Sequence, residues 1–463
     1  MIALSRRILS TLRREAVGRL PERLRGNETV KRIGANLAWL SFDKLYSTAM
    51  SFVVSVFVAR YMGRSDFGLF NYALLFVTIF QVPATLGLEE ILVRELVSRE
   101  EEEGAILGTA LAMRLVSGLL TMGLIAVVVR VARPDDAAAR HLVVVTSLLL
   151  IPQAFLVIQR LYIARVLAKY IVISGNVALT VVSIARLVMV YLHASLTWFV
   201  WTNVAQLALT ALAMYAFYAT EKRVHPRWSF SKSWFIRLMR DAWPQIPAGL
   251  AGSIQNQIGA LIIGSFLGDA ELGAYSVAYR FYLLLCVAAD IICQSLMPTL
   301  TRARAVSAAH FERRLSQCYR LLFGVFLAAL LPVLFLGLGG IKLLYGRQYA
   351  PAGTLLLYFA LPLLLNYFGQ LRLWYIVVEN QLRYAMFLSV VQAGVSVISN
   401  YLLIRYFGAV GAICSIAVSI LTVFGCDVVF KQGRPNIRAI FHALTRIPPL
   451  PVPAEPVVVP RAS

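Results

Sequence analysis

Twelve runs of about 20 mostly apolar residues recur along this 463-residue chain, at 36–59, 67–88, 105–129, 142–163, 170–192, 196–218, 243–267, 274–297, 319–344, 352–376, 383–404 and 409–430. A run of that length crosses ~30 Å of hydrocarbon as a helix, and in lipid only a helix or a closed barrel satisfies its own backbone. Hydrophobic residues make up 59% of the chain and charged residues 14%, against roughly 45–50% and about 25% in soluble domains. No soluble core hides that much apolar surface, so the solvent is lipid. A soluble enzyme and a nucleic-acid-binding protein are excluded on this ground.

The formal charge of +21 then reads as topology. With span ends counted alongside their loops, 31 Lys/Arg fall on one set of loops, seven on the other and six within spans. Basic residues stay on the cytoplasmic side, so the bias predicts a multi-pass membrane protein with both termini cytoplasmic. The opposite loops are too short to hold a catalytic domain. Residues 1–34 carry nine Lys/Arg, with Leu4, Ile8, Leu12 and Leu20 at roughly helical spacing. That segment reads as a basic cytoplasmic arm, either a helix on an anionic surface or disordered, and not as a cleaved signal peptide. The tail around Pro448, Pro449, Pro451 and Pro453 is polyproline-like. Cys286, Cys293, Cys318, Cys414 and Cys426 lie in apolar runs or a basic loop, read as packing residues, and no metal or cofactor motif is present.

A shift of 205 residues superposes two span junctions. Met62-Gly63-Arg64-Ser65-Asp66-Phe67-Gly68-Leu69-Phe70 falls on Leu267-Gly268-Asp269-Ala270-Glu271-Leu272-Gly273-Ala274-Tyr275, and Ala73 and Phe76 fall on Ala278 and Phe281. Gly63 and Gly268 suit the left-handed conformation that ends a helix. The repeat predicts two parallel six-helix halves, 35–219 and 243–430, joined by a basic linker at 220–242 and followed by a tail at 431–463. Duplicated transporters bind substrate between halves that rock against one another.

An ionisable group near mid-bilayer costs at least ~2.5 kcal/mol on insertion scales, so such groups tend to be paired or functional. Six cations fall within spans: Lys44, Arg114, Arg186, Arg280, Lys342 and Arg372. Lys342 is placed to snorkel to the interface. Lys44 and Arg280 stand out as ligands for a polyanionic headgroup, which guanidinium binds in bidentate fashion. Arg114, Arg186 and Arg372 divide evenly between snorkelling and a cavity role, and ion pairing with Asp43 or Asp290 is the structural alternative for the leading two. Asp43 and Asp290 are read as the two carboxylates well within spans and as candidates for carrying a coupling ion, H+ or Na+. Gln255, Asn256 and Gln257 cover three faces of one helix. They suit sugar hydroxyls, and they equally suit interhelical hydrogen bonding.

The first junction, from Val58-Ala59-Arg60-Tyr61-Met62-Gly63 through Asn71-Tyr72-Ala73, resembles the opening of bacterial oligosaccharide flippases. These are the Wzx-like polysaccharide transporters of the multidrug/oligosaccharidyl-lipid/polysaccharide (MOP) exporter superfamily. Arg94-Glu95, Leu267 through Arg280, Pro298 with Arg302, Leu344-Tyr345-Gly346-Arg347-Gln348-Tyr349-Ala350-Pro351-Ala352 and Phe407 through Ala412 extend the resemblance over about 35–430. It implies an all-α fold of two pseudo-symmetric six-helix bundles, MATE-like, around a cavity lined by the first, second, seventh and eighth spans. It also implies movement of an undecaprenyl-diphosphate-linked oligosaccharide to the periplasmic leaflet by alternating access. Implied partners are the lipid-linked oligosaccharide, membrane lipids, and the polymerase and chain-length machinery of the same pathway. Gly259 stands where relatives often carry an Asp, so no role of that Asp transfers. The rival readings are an ion-coupled drug or cation exporter, a membrane glycan polymerase or ligase, and an uncoupled scramblase.

Overall fold

The computed structural model describes residues 28–220 and 227–445. The basic arm before residue 28, linker residues 221–226 and the proline-rich tail lie outside the described residues. Among the described residues there is no strand, and helices follow one another as α1 (Glu28–Thr85), α2 (Glu89–Ser98), α3 (Glu103–Ala132), α4 (Ala137–Ser147), α5 (Leu150–Ala154), α6 (Val157–Ala164), α7 (Ala168–Tyr191), α8 (Leu196–Thr220) and α9 (Lys232–Ala242). They continue as α10 (Gln245–Phe266), α11 (Asp269–Val306), α12 (Ala308–Phe335), α13 (Ile341–Tyr345), α14 (Ala350–Tyr358), α15 (Ala360–Val378), α16 (Leu382–Phe407), α17 (Ala409–Val429) and α18 (Arg434–Thr445).

All twelve apolar runs fall on these helices. Among the described residues nine helices are long and apolar enough to cross a bilayer, or ten when the pair Arg347–Tyr358 and Ala360–Val378, bent by 47°, is taken as one span. Two local causes separate that number from twelve. The first two runs share α1, which is continuous apart from a kink at Gly63 (φ 76°). The run in α10 is diluted by Gln255, Asn256 and Gln257, which lower its apolar character.

The chain forms two compact units. The first takes in Met1–Phe281, Val333–Phe359 and Ala393–Ile416. Its lower packing is a cluster in which Leu88, Leu92, Ile106, Leu107, Val157 and Leu161 are buried with Trp234 and Leu238 of the linker helix α9. The second takes in Tyr282–Pro332, Ala360–Gln392 and Ala417–Ser463. Within it Tyr319 donates to Asn436 at 2.6 Å and Tyr367 to the Leu285 carbonyl at 2.9 Å, tying α12 to α18 and α15 to α11.

Both repeat glycines take the expected left-handed conformation, Gly63 at φ 76° and Gly268 at φ 89°. The two junctions then pack against each other reciprocally inside the first unit. A Cβ on Gly68 would collide with the Asp269 carbonyl, and a Cβ on Gly273 would collide with the Arg64 carbonyl. These contacts exchange under the 205-residue shift, as a two-fold relation requires. The clamps on the junctions correspond too. Tyr349 donates to the carbonyls of Ala59 and Gly63, each at 2.9 Å. At the position equivalent to Ala59, the Gly264 carbonyl accepts from Arg133. Arg133 also bonds Asp269 at 2.7 Å and Asp136 at 3.0 Å, and its guanidinium lies 4.0 Å from the centre of the Tyr72 ring. Burial is the largest single influence and works against that charge, yet the hydrogen bonds and charge of Asp269, with Tyr72 and Asp136, together raise the Arg133 pKa above its ordinary value.

Adding a side chain at this crossing therefore meets backbone, which cannot rotate away. Gly68→Val or Gly273→Val is expected to cost about 3 kcal/mol or to abolish folding. Gly123→Ala, where nothing lies within 4 Å, leaves the thermal midpoint of the detergent-solubilised protein unchanged or higher.

Candidate functional site

The membrane-embedded charges sort by whether the chain supplies a counter-charge. Arg372 on α15 is 5% exposed and Asp427 on α17 is 1% exposed. They form a two-pronged pair at 2.5 and 2.9 Å. Tyr384 donates to the same carboxylate at 2.8 Å, and Asn436 at 3.3 Å. This is a structural network in which the chain itself answers the charge of Arg372. Asp427, near the end of its span, is a further carboxylate beside Asp43 and Asp290, which lie deeper in theirs.

Asp43 on α1 accepts from Asn176 of α7 at 3.0 Å. One turn further along the same pair of helices, Tyr46 and Thr180 share a hydrogen bond of 2.6 Å. The Asn176 Oδ1 atom is buried without a partner. This leaves an oxygen-rich seam between α1 and α7, which sequence spacing could not reveal because Asn176 is 133 residues away. Lys44, the neighbour of Asp43, is exposed on the adjoining face of α1. Asp290 lies on α11 close to Cys286 and Cys293.

A cation that approaches Arg280 is Arg186. Arg186 on α7 lies near enough to Arg280 on α11 for the two charges to repel. Arg186 donates to Thr202 and to the Asn203 side-chain oxygen, both at 2.8 Å. These neutral partners orient its guanidinium without cancelling its charge. Arg280 makes no hydrogen bond or ion pair among the described residues. Its Cζ sits 5.7 Å from the centre of the Phe67 ring, with Tyr345 and Tyr349 close by. An aromatic wall with no carboxylate holds a cation in place by packing and leaves its N–H donors free. From Asp269 at the start of α11, eleven residues or ~16 Å of helix lead to Arg280. Two half-buried guanidiniums, near enough to repel and without an acidic partner among the described residues, can together take up an anion with several oxygens, for which a phosphate or diphosphate is the natural fit.

Gln255 and Gln257 are half-buried and Asn256 exposed on α10, and none makes a hydrogen bond among the described residues. They remain open to a polyhydroxyl ligand. Gly259 is crowded by the Asn400 side-chain oxygen, 2.7 Å from where a Cβ would stand, so a carboxylate at that place would need Asn400 to move. Arg114 on α3 lies inside the first unit, apart from Arg186, with Glu89 and Arg160 as the charged groups acting on it. Arg160, close to the end of its apolar run, and Glu89 beyond the end of the second run were not singled out by sequence.

Comparison with solved structures defines the class. Lipid II flippase MurJ in an inward closed conformation superposes with a TM-score of 0.64 at 13% identity, over 87% of this chain and 90% of that one. An inward-facing MATE-family multidrug resistance transporter of the MOP superfamily superposes with a TM-score of 0.61 at 15% identity, over 85% and 95%. The fold is thus that of MOP-superfamily transporters. The model of the polysaccharide biosynthesis protein family matches residues 33–304, more than half the chain, and the protein belongs to that family. The succinoglycan biosynthesis transport protein ExoT of Rhizobium meliloti (strain 1021) is 26% identical over 336 residues, which cover 70% of this chain and 65% of that protein. The chain thus matches just under two thirds of that relative's length. It is a multi-pass membrane protein of the polysaccharide biosynthesis protein family.

The paired Arg372 offers a control for the unpaired arginines. Arg372→Ala strands Asp427 and is expected to destabilise the protein by about 3–5 kcal/mol, whereas the double replacement Arg372→Met with Asp427→Leu recovers most of that loss. Thermal unfolding of the two variants in one detergent checks the difference.

Proposed function

We propose that this protein is a flippase for an undecaprenyl-diphosphate-linked oligosaccharide. It carries the glycan from the cytoplasmic to the periplasmic leaflet by alternating access, for synthesis of a surface polysaccharide. The observation that carries the reading is the Arg186–Arg280 pair, two neighbouring cations at membrane depth without an acidic partner, suited to a diphosphate. The amides of α10 suit the sugars. A drug or cation exporter calls for the opposite charge in its binding cavity. A polymerase or ligase calls for a folded external segment, and the loops between spans are short.

In this reading both termini are cytoplasmic, and the junction where Gly68 meets Asp269 and Gly273 meets Arg64 is the outer seal of the transport path. Opening outward separates the two junctions and releases Arg133 from Asp269. Asp43, with Asn176 beside it, is the place where H+ or Na+ would couple to that motion. The pathway's polymerase and chain-length machinery receive the product.

In a strain dependent on this protein, Arg186→Ala and Arg280→Ala should each lower surface polysaccharide at least tenfold, since a charge-assisted bond is worth ~1.5–3 kcal/mol. Membrane levels of the variants should match wild type, with lipid-linked oligosaccharide accumulating on the cytoplasmic side. Export at the wild-type level in both variants would sink the assignment. Normal polysaccharide in a deletion strain, with raised sensitivity to cationic drugs, would favour the exporter. Asp43→Asn should remove the response of transport to an imposed ion gradient, measured in vesicles, and a retained response would place coupling elsewhere.

A further inference from the structure

The first unit holds a second group of under-neutralised arginines, remote in sequence from Arg186 and Arg280. Arg114 is 2% exposed, and its Nε and one terminal nitrogen are buried without a hydrogen-bond partner. The charged groups near enough to act on it are Glu89, which attracts it, and Arg160, which repels it. Glu89 is already engaged, bonded to Arg160 at 2.8 Å. The Arg160 Nε is buried and unpartnered in turn. Three helices thus bring two guanidiniums and one carboxylate together, with a net charge of +1 and three donor nitrogens unused.

Elsewhere this chain answers a buried arginine with its own acid. Arg372 meets Asp427 at 2.5 Å, Arg165 meets Glu103 at 2.5 Å and Arg133 meets Asp269 at 2.7 Å. Arg114 has no such partner among the described residues. A water could fill an unused donor, but it would leave the charge uncompensated in a setting where that costs several kcal/mol. An oxyanion meets both needs. A phosphate group has the charge to neutralise the cluster and enough oxygens to accept from Arg114 Nε, its terminal nitrogen and Arg160 Nε together. Access lies on the Glu89 side, whose side chain is 39% exposed. Glu89 opens α2 immediately after the helix break at Leu86 and Gly87, both in the left-handed region (φ 58° and 60°).

We propose that Arg114 and Arg160 form a phosphate-binding site between α2, α3 and α6, separate from the Arg186–Arg280 pair, with Glu89 as a built-in competitor for the anion. The phosphate comes either from a phospholipid headgroup or from solution, and the chemistry is the same. The site does not depend on the transport reading, and its test involves no export.

The full-length protein is placed in nanodiscs of phosphatidylcholine and its thermal midpoint followed as inorganic phosphate is added, with chloride at matched ionic strength as the reference. A parallel sample carries phosphatidic acid in the disc and no free phosphate. A saturable rise in midpoint in the first arm assigns the site to soluble phosphate, and a rise only in the second assigns it to a lipid headgroup. In an Arg186→Gln, Arg280→Gln background, which removes the other anion site, Arg114→Gln should weaken the response at least tenfold, and Glu89→Gln should strengthen it by freeing Arg160. The opposite responses of Arg114→Gln and Glu89→Gln keep the test decisive if one variant folds poorly, and Arg160→Gln should repeat the loss. No phosphate-specific rise in either arm, or an undiminished rise in Arg114→Gln and Arg160→Gln, would overturn the site.

Discussion

A guanidinium inside hydrocarbon must be answered by a counter-charge, and the structure is organised by where that answer comes from. Backbone polarity is handled within helices, so side-chain charge is the remaining cost of building this protein in lipid. At Arg372 within the membrane, and at Arg165 and Arg133 just beyond span ends, the answer is an aspartate or glutamate of the same chain. These pairs lock helices together, and each is costly to break because the surviving partner stays buried. At Arg186 and Arg280 the neighbours are hydroxyl, amide and aromatic groups. The cations are held in place but not neutralised, the condition a binding site for an anionic ligand requires.

The second organising constraint is the contact between the two span junctions. Small residues let helix backbones approach closely in a membrane, where lipid offers no hydrophobic force to drive helices together. Here Gly68 and Gly273 allow carbonyls to enter the space a side chain would fill. The contact is reciprocal under the internal repeat, but its clamps are not. One junction is held by a neutral tyrosine hydroxyl, Tyr349, and the other by the charged Arg133 with two aspartates.

The spans were legible because hydrocarbon thickness imposes a length that sequence displays directly. The repeat was legible because glycines at φ > 0 cannot be replaced without strain, and Gly63 and Gly268 preserve the spacing. Which charges are paired was not legible. Arg372 and Asp427 are 55 residues apart, Asp43 and Asn176 are 133 apart, and Arg186 reaches Arg280 from another helix altogether. Such pairings follow from helix rotation and tertiary contact, and helical periodicity within one span does not encode them. Lys44 stood out by its depth in the first span, yet the rotation of α1 leaves it exposed, while Arg186, closer to a span end, is turned toward Arg280.

The central claim is that unpaired cations at membrane depth recognise the diphosphate of a lipid-linked glycan. It is tested most directly by translocation in proteoliposomes containing the purified protein, comparing an undecaprenyl-diphosphate oligosaccharide with the same glycan on a neutral lipid of equal length. The account predicts that the diphosphate-linked compound reaches the opposite leaflet and that the neutral one does not. Equal translocation of both would contradict it.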